Sequence, residues 1–280
     1  MSTIRALLSR GRVALVAAAV DTPMLDAMVL LAHALGATKE RLIASLCEEA
    51  GGDLEWRYGE LLDQRRAGRP VSYIRKTKEF WGLDFHVDEG VLVPRPDTET
   101  LVERALFLLR ADERLRRIHD ACTGSGCVAI ALARELPCRE VTASDISPGS
   151  ARVFELNCAR LLDRQLPFFL SDLLAEAPGP FDLLTANPPY LTEMEADDLA
   201  RTGWPEPDLA LRGGADGTAV AARLIGGAVP RLAPGGWICL EASPGQFNRL
   251  HALLDQAGFR DVEIQQDLGA RDRVISGRLG

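Results

Sequence analysis

Asn187-Pro188-Pro189-Tyr190 sets a planar amide, two residues of fixed φ and an aromatic ring in consecutive positions. These residue types suit a target that is itself a flat NH2 group. The Asn187 side-chain oxygen and the Pro188 backbone carbonyl can accept both of its hydrogens. Pro188 has no N–H and Pro189 fixes its own φ, so the loop is stiff and its carbonyls hold their direction. Tyr190 can lie over the target by stacking. An amide nitrogen is a poor nucleophile because its lone pair is delocalised into the carbonyl. Its N–H is also too weakly acidic for a side-chain base to ionise. Reaction at such a nitrogen depends on positioning, which supplies roughly 7 to 11 kcal/mol when the reacting atoms are held in line.

A second cluster reads Asp120-Ala121-Cys122-Thr123-Gly124-Ser125-Gly126 and leads into an apolar helical stretch, 128–136. Glycine lets backbone approach a ligand closely, and the helix behind it offers free N–H groups. One βαβ unit later, Asp145 ends a strand, where a carboxylate can accept hydrogen bonds from the ribose hydroxyls of an adenosine. An adenosine-bearing cofactor is therefore expected. Gly124 to Ala129 also fits the G-x-G-x-x-A form of the dinucleotide fingerprint, so a nicotinamide-dependent dehydrogenase is the competing reading of the turn alone. Three features favour S-adenosyl-L-methionine, with S-adenosyl-L-homocysteine as product. Asp120 can bind an ammonium group, the chain ends in a strand hairpin suited to a methyltransferase sheet, and the Asn-Pro-Pro-Tyr segment closes another strand.

The elements that must position these clusters can be drawn from periodicity. Helical spacing of Leu25, Met28, Val29, Leu31, Ala32 and Leu35, with Gly36 as a stop, marks a small N-terminal helical domain, 1–72. Near alternation at Phe80, Leu83, Phe85 and Val87, a turn at Asp88-Glu89-Gly90, and then Val91 and Val93 predict a β-hairpin linker, 73–96. Asp97 or Thr98 can cap the next helix. In 97–280, strands at 117–121, 140–145, 168–171, 181–186 and 236–241 alternate with helices, which predicts a mostly parallel α/β sheet of Rossmann-like type. Strand-like runs at 261–266 and 273–277 have no helix between them, so the last strand should run antiparallel. Carboxyl ends of strands face the crevice in open α/β sheets, which brings Asn187 and the glycine turn into one pocket.

With 280 residues and 47% hydrophobic content, the chain can bury a large core. It has no apolar run of about 18 residues, so a cytoplasmic protein off the membrane is expected. Six cysteines lack paired spacing and four histidines stand apart, which argues for reduced thiols and no metal site. A net charge of -8 argues against direct nucleic-acid binding. The basic group Arg65, Arg66, Arg69, Arg75, Lys76 and Lys78 reads as a solvated helix end.

Lys78-Glu79-Phe80-Trp81-Gly82, Val93-Pro94-Arg95-Pro96-Asp97-Thr98-Glu99, the turn through Gly126, Asn187 to Tyr190 and Gly213-Gly214-Ala215-Asp216-Gly217 together resemble the HemK/PrmC family of protein-(glutamine-N5) methyltransferases, over nearly the whole chain. The resemblance implies a class I methyltransferase sheet and, as partner, peptide chain release factors methylated at the glutamine of their Gly-Gly-Gln motif. It implies cofactor contacts from Cys122, Thr123, Gly124, Ser125, Gly126, Asp145, Asp172, Leu173 and Asn187. The target glutamine would meet Asn187, Pro188, Pro189 and Tyr190, with Phe80 and Arg95 shaping the cleft, and the enzyme would act as a monomer. Two departures stand out. Cys122 occupies the place of the first glycine of the turn, and Arg75-Lys76-Thr77 replaces a glycine-containing stretch. Glutamine methylation of a ribosomal protein, adenine-N6 methylation of DNA, and a non-catalytic cofactor-binding role are the alternatives.

Overall fold

Apolar residues spaced every three or four positions make the N-terminal part of the chain helical. The computed structural model describes residues 2–280, which divide into two units, 2–77 with 203–205 and 78–202 with 206–280. The first unit holds α1 (Ile4–Ala17), α2 (Pro23–Leu35), α3 (Lys39–Ala44), α4 (Gly52–Arg66) and α5 (Val71–Arg75). Thr3 caps α1 by accepting from the Ala6 N–H, and α2 ends on Gly36 in the left-handed region, as its sequence predicts. Tyr58 crosses the helical core to donate to the Ala27 carbonyl at 3.1 Å. Three of the six residues of the basic cluster have partners within this unit. Arg65 pairs with Asp26 at 2.7 Å and Arg66 with Asp63 at 3.0 Å, while Arg69 donates to Gln64 at 2.8 Å.

A hairpin of β1 (Thr77–Phe80) and β2 (Leu83–His86) follows. Its turn is Trp81-Gly82, both at positive φ (53° and 66°), which is the twist that a two-residue hairpin turn requires. The sequence expectation put the turn at Asp88 to Gly90 and a strand at Val91 and Val93. The chain does turn at Asp88 to Gly90, closed by the Val91 N–H donating to the Asp88 carbonyl at 3.2 Å, but the hairpin turn lies earlier, and the expected strand at Val91 and Val93 is corrected. Val91 and Val93 lie outside any strand, and the Asp88 side chain receives the Gly90 N–H and pairs with Arg152. The expected side-chain cap on the next helix is also replaced. Pro96–Thr98 forms a 3-10 turn, and no side chain caps α6 (Glu99–Ala111).

The second unit continues with β3 (Arg117–Ala121), α7 (Cys127–Glu135), β4 (Glu140–Asp145), α8 (Pro148–Leu161), β5 (Phe168–Leu170), β6 (Phe181–Ala186), α9 (Glu193–Arg201), α10 (Ala219–Ala228), β7 (Leu232–Glu241), α11 (Phe247–Gln256), β8 (Phe259–Gln266) and β9 (Asp272–Leu279). Its strands lie in the order β5-β4-β3-β6-β7-β9-β8. The first five pair in parallel, and β9 runs antiparallel to both neighbours, as expected from the closing hairpin. Every residue of β6 is buried, which suits a central strand covered on both faces. Asp182 tolerates that burial because it pairs with Arg117 at 2.8 Å and accepts the Arg116 and Arg117 N–H groups. One apolar core packs α6 and α7 with β3 and β4, and another packs α10 and α11 with β6 and β7.

Candidate active site

A single cleft opens at the carboxyl ends of β3, β4, β5 and β6. Of the residues expected to form the site, Asp120, Cys122, Thr123, Gly124, Ser125, Asp145, Asp172, Leu173, Asn187, Pro189 and Arg95 line it. The glycine turn and the Asn187 loop therefore share one pocket.

The turn is built by short contacts that only certain residues allow. Thr123 donates its N–H to the Ser144 carbonyl at 3.1 Å, which ties the turn to β4. Gly124 has φ 56°, and a Cβ there would meet nothing within 4 Å, so the backbone at this point faces open space. Its N–H donates to Asp145 at 2.9 Å, and the other Asp145 oxygen accepts from the Ser147 N–H at 2.9 Å. Burial raises the Asp145 carboxyl above its usual range against these bonds. Gly126 does not reach the cleft. It sits at φ 82° at the start of α7, where a Cβ would stand 2.5 Å from the Phe154 ring, so its role is helix packing. The Ser125 carbonyl is held from behind by Asn157, whose side chain also bonds both backbone groups of His86.

Cys122 adopts φ 55°, the left-handed conformation that glycine takes without penalty. The departure from the family pattern thus leaves the turn's path intact and adds a steric cost of about 1–2 kcal/mol. Burial, together with Asp145 and Asp120, raises the Cys122 thiol well above its ordinary range, so it is not a reactive thiolate.

Asp120 is fully buried and accepts hydroxyl hydrogen bonds from Thr123 at 2.6 Å and Thr185 at 2.7 Å. Burial pushes its carboxyl up to about 6, and the two hydroxyls pull it the other way. Asp172 pairs with Arg223 at 2.7 Å on the rim.

Asn187 follows the last residue of β6, and its amide donates to the Thr98 hydroxyl at 3.2 Å. Its loop is clamped by the segment Gly213 to Gly217. A Cβ on Gly213 would stand 2.7 Å from both the Pro189 carbonyl oxygen and the Tyr190 Cα. Gln246 adds a bond from its side-chain amide to the Tyr190 carbonyl at 2.8 Å. Pro188 is buried, and neither Pro188 nor Tyr190 lines the cleft. Burial raises the Tyr190 hydroxyl, so it stays neutral at physiological pH. Phe80 corrects its expectation: it is 1% exposed and packs edge-on to Phe85 in the core, 6.0 Å between centroids. An apolar residue in a hairpin gives the same sequence pattern whether it faces a core or a cleft.

Several residues that sequence reasoning missed complete the site. Glu206, nearly inaccessible, accepts the Val93 N–H and pairs with Arg95. Arg212 lines the cleft and binds Glu193, Asp197 and Asp208. Glu241 ends β7 one position past the Ala186–Leu240 pair, which sets it beside Asn187. The rule that placed Asn187 at a strand's carboxyl end applies equally to Glu241. Among the described residues no cluster suits a metal ion, and no helix is long and apolar enough to cross a membrane.

The donor set fits an S-adenosylmethionine molecule: a half-buried carboxylate at the end of β4 that would take ribose hydroxyls, a fully buried one near the end of β3 that would take an ammonium, and an open glycine backbone between them. Strand order, closing antiparallel hairpin and cleft define the class, a class I S-adenosylmethionine-dependent methyltransferase. The same fold occurs in the T. thermophilus 16S rRNA N2 methyltransferase RsmC solved with AdoMet and guanosine, with a TM-score of 0.54, 21% identity and coverage of 73% of this chain and 50% of that one. The family is narrower. Residues 6–75 match the PrmC N-terminal domain and 99–202 the methyltransferase small domain. Relatives called release factor glutamine methyltransferase include one from Koribacter versatilis, 39% identical over 94% of this chain and 93% of its own. Another, from Deinococcus radiodurans, is 37% identical over 98% of both chains. This chain belongs to the release factor glutamine methyltransferase family.

Proposed function

We propose that this chain binds S-adenosyl-L-methionine in the cleft and transfers its methyl group to the side-chain amide nitrogen of the Gly-Gly-Gln glutamine in a release factor, in the cytoplasm. The observation that carries the reading is the placement of Asn187 in the same cleft as the Asp120 to Ser125 turn, with its amide nitrogen already engaged by Thr98. An Asn side chain whose NH2 is taken directs its oxygen elsewhere, and here the free side is an acceptor for a substrate NH2.

S-adenosyl-L-methionine, when bound, supplies an electrophilic sulfonium methyl. Asp145 and Asp120 would hold its ribose and ammonium ends, and the open backbone at Gly124 would admit it between them. Asn187 Oδ1 accepts one hydrogen of the glutamine NH2 and aims its nitrogen along the axis of transfer. The N–CH3 bond forms as the S–CH3 bond breaks. The amide proton becomes acidic only then and leaves to water, so no strong base is required. S-adenosyl-L-homocysteine and N5-methylglutamine are the products. Tyr190 contributes by fixing the loop from the side, through the bond its carbonyl accepts from Gln246.

The test is mass spectrometry of release factor incubated with the purified protein and S-adenosyl-L-methionine. A gain of one methyl group on the Gly-Gly-Gln peptide is expected, lost in Asn187→Ala while calorimetry still detects cofactor binding. An unmodified glutamine in the presence of the wild-type protein would refute the reading.

A further inference from the structure

Glu241 is a carboxylic acid with 1% exposure at the end of β7, and neither of its oxygens completes a hydrogen bond of good geometry. A buried carboxyl left in that state is costly unless the fold uses it. Its neighbours are the two side chains that matter most for the amide site. The Thr98 hydroxyl and the Asn187 amide both stand close enough to favour its charged form. The amide of Asn187 donates to Thr98 at 3.2 Å, which leaves the Thr98 hydroxyl hydrogen available for a further acceptor.

We infer that Glu241 is a positioning residue for the methyl-acceptor site: its ionised carboxylate, acting directly and through the Thr98 hydroxyl, fixes which end of the Asn187 amide faces the substrate. This rests on the proposed amide-methylating function. An Asn side chain can rotate its amide by half a turn at little steric cost, and the two orientations differ in what they offer a substrate NH2. With Oδ1 toward the cleft, Asn187 accepts a hydrogen. With Nδ2 toward the cleft, it opposes donor to donor. A carboxylate accepts only, so ionised Glu241 draws the Thr98 O–H and the Asn187 N–H toward itself and leaves Oδ1 to the substrate. Once protonated, Glu241 can donate to Oδ1 and hold the amide in the unproductive orientation.

The charged and titratable groups around Glu241 leave it as the one that changes state near neutrality within this cluster. Arg273 on β9 stays charged and is shared with Asp97 and Asp267, each at 3.0 Å. Asp97 approaches from the turn before α6 and opposes ionisation of Glu241. Tyr190, from the loop after β6, is raised by burial, and Cys127 on α7 is pushed up to about 12, so both are neutral. Glu241 itself is pushed up to about 7 by burial, with Thr98 and Arg273 working against that rise. Asp120, the other raised carboxyl of the cleft, goes to about 6.

The experiment compares the wild-type chain with Glu241→Gln, whose neutral amide fits the same space and satisfies either orientation of Asn187. Two readouts are taken from about pH 5 to about pH 9. The first needs no acceptor protein: the Asn187 side-chain NH2 resonance in isotope-labelled protein. A midpoint near 7 in the wild type that disappears in Glu241→Gln is expected, and a resonance that ignores pH, or titrates alike in both, overturns the inference. The second is transfer to release factor. Glu241→Gln is expected to lose at least about tenfold in kcat on the alkaline plateau, with KM for cofactor and release factor within about twofold, and to lose the acid limb near 7 while a lower limb from Asp120 survives. Retention of kcat and of the limb overturns it. Glu241→Asp, which keeps the charge, is expected to restore the limb, and its behaving like the Gln variant counts against the inference. Failure of the wild type to methylate release factor at any pH refutes the proposed function instead, and the resonance still decides the role of Glu241.

Discussion

The side-chain amide of Asn187 donates to the hydroxyl of Thr98 across a separation of 89 residues. Thr98 belongs to a segment, Arg95 to Glu99, in which every polar side chain reaches a different part of the same unit. Arg95 pairs with Glu206, Asp97 with Arg273 of β9, and Glu99 accepts the Trp81 N–H of the hairpin turn at 2.9 Å. The segment therefore ties the hairpin, the closing strand and the loop that begins at Asn187 to one another. On the proposed function, this anchoring holds the Asn187 amide within the small angular tolerance that an unreactive nitrogen demands.

Thr98→Val keeps the shape of that contact and removes its hydroxyl. Thr98 is 2% exposed, so the Asn187 amide nitrogen loses its partner in a dry place, at about 1–3 kcal/mol. The expected result is a melting temperature lower by a few degrees and a kcat reduced about tenfold, with cofactor affinity within twofold by calorimetry. Unchanged kcat would show that Thr98 does not set the amide.

Gly213→Ala tests the clamp behind the Asn187 to Tyr190 loop. The added Cβ would meet the Gly217 carbonyl at 2.5 Å and the Pro189 carbonyl at 2.7 Å, both backbone atoms with no rotamer to escape by. Overpacking of this kind costs about 1–3 kcal/mol, and relief here must push Pro189 and Tyr190 toward the cleft. Kinetic assays are expected to show kcat falling more than cofactor binding. An alanine variant with normal kcat would mean that the loop is positioned by something else.

Much of the sheet could be read in advance for a physical reason. β3 and β6 are buried along almost their whole length and β4 at its centre, each bounded by polar or turn-forming residues, and the expected limits of all three match those observed. β7 begins earlier than expected, at Leu232, because its register with β6 jumps between Leu232 and Trp237 across a Pro-Gly segment that reads as a loop. The hairpin turn escaped because Trp81 takes a positive φ that aromatic residues seldom adopt. In the cleft, Asp120, Asp145 and Asn187 were legible as polar residues at strand ends. Glu241 was legible by the same rule, at the end of the expected strand 236–241, whereas Glu206 was not, since a lone carboxylate outside any strand carries no pattern and its role arises only when folding sets it beside Arg95.

Cys122→Gly removes a side chain from a left-handed backbone position. Relief of about 1–2 kcal/mol is offset by the greater freedom of glycine in the unfolded chain, about 0.5–1 kcal/mol. Denaturant titration is expected to show stability unchanged or raised by up to about 1 kcal/mol, with cofactor affinity equal to or tighter than wild type. Cys122→Val, branched at Cβ, should instead lose stability at the same position. If the valine variant were as stable as the glycine one, φ at Cys122 would not be the constraint described here.

Asp120→Asn separates the cost of burying a charge from the benefit of binding one. Burial raises the folded-state carboxyl to about 6 from an ordinary 3.8, so folding prefers its protonated form. Its contribution to stability is then fully present below about pH 4 and is lost as pH rises through about 6, on the order of 3 kcal/mol at about 1.36 kcal/mol per unit. Asparagine never ionises and can still accept from one threonine hydroxyl, so the variant escapes that loss. Stability of the cofactor-free variant minus that of the wild type is expected to grow from about pH 4 to about pH 6 and to be flat above. His119, which burial lowers to about 3, pulls the other way as it sheds the cost of charging, but it is present in both proteins and cancels in the difference. A difference independent of pH, measured by urea denaturation across this range, would mean that Asp120 is ionised throughout and that its two hydroxyl partners, rather than burial, govern it.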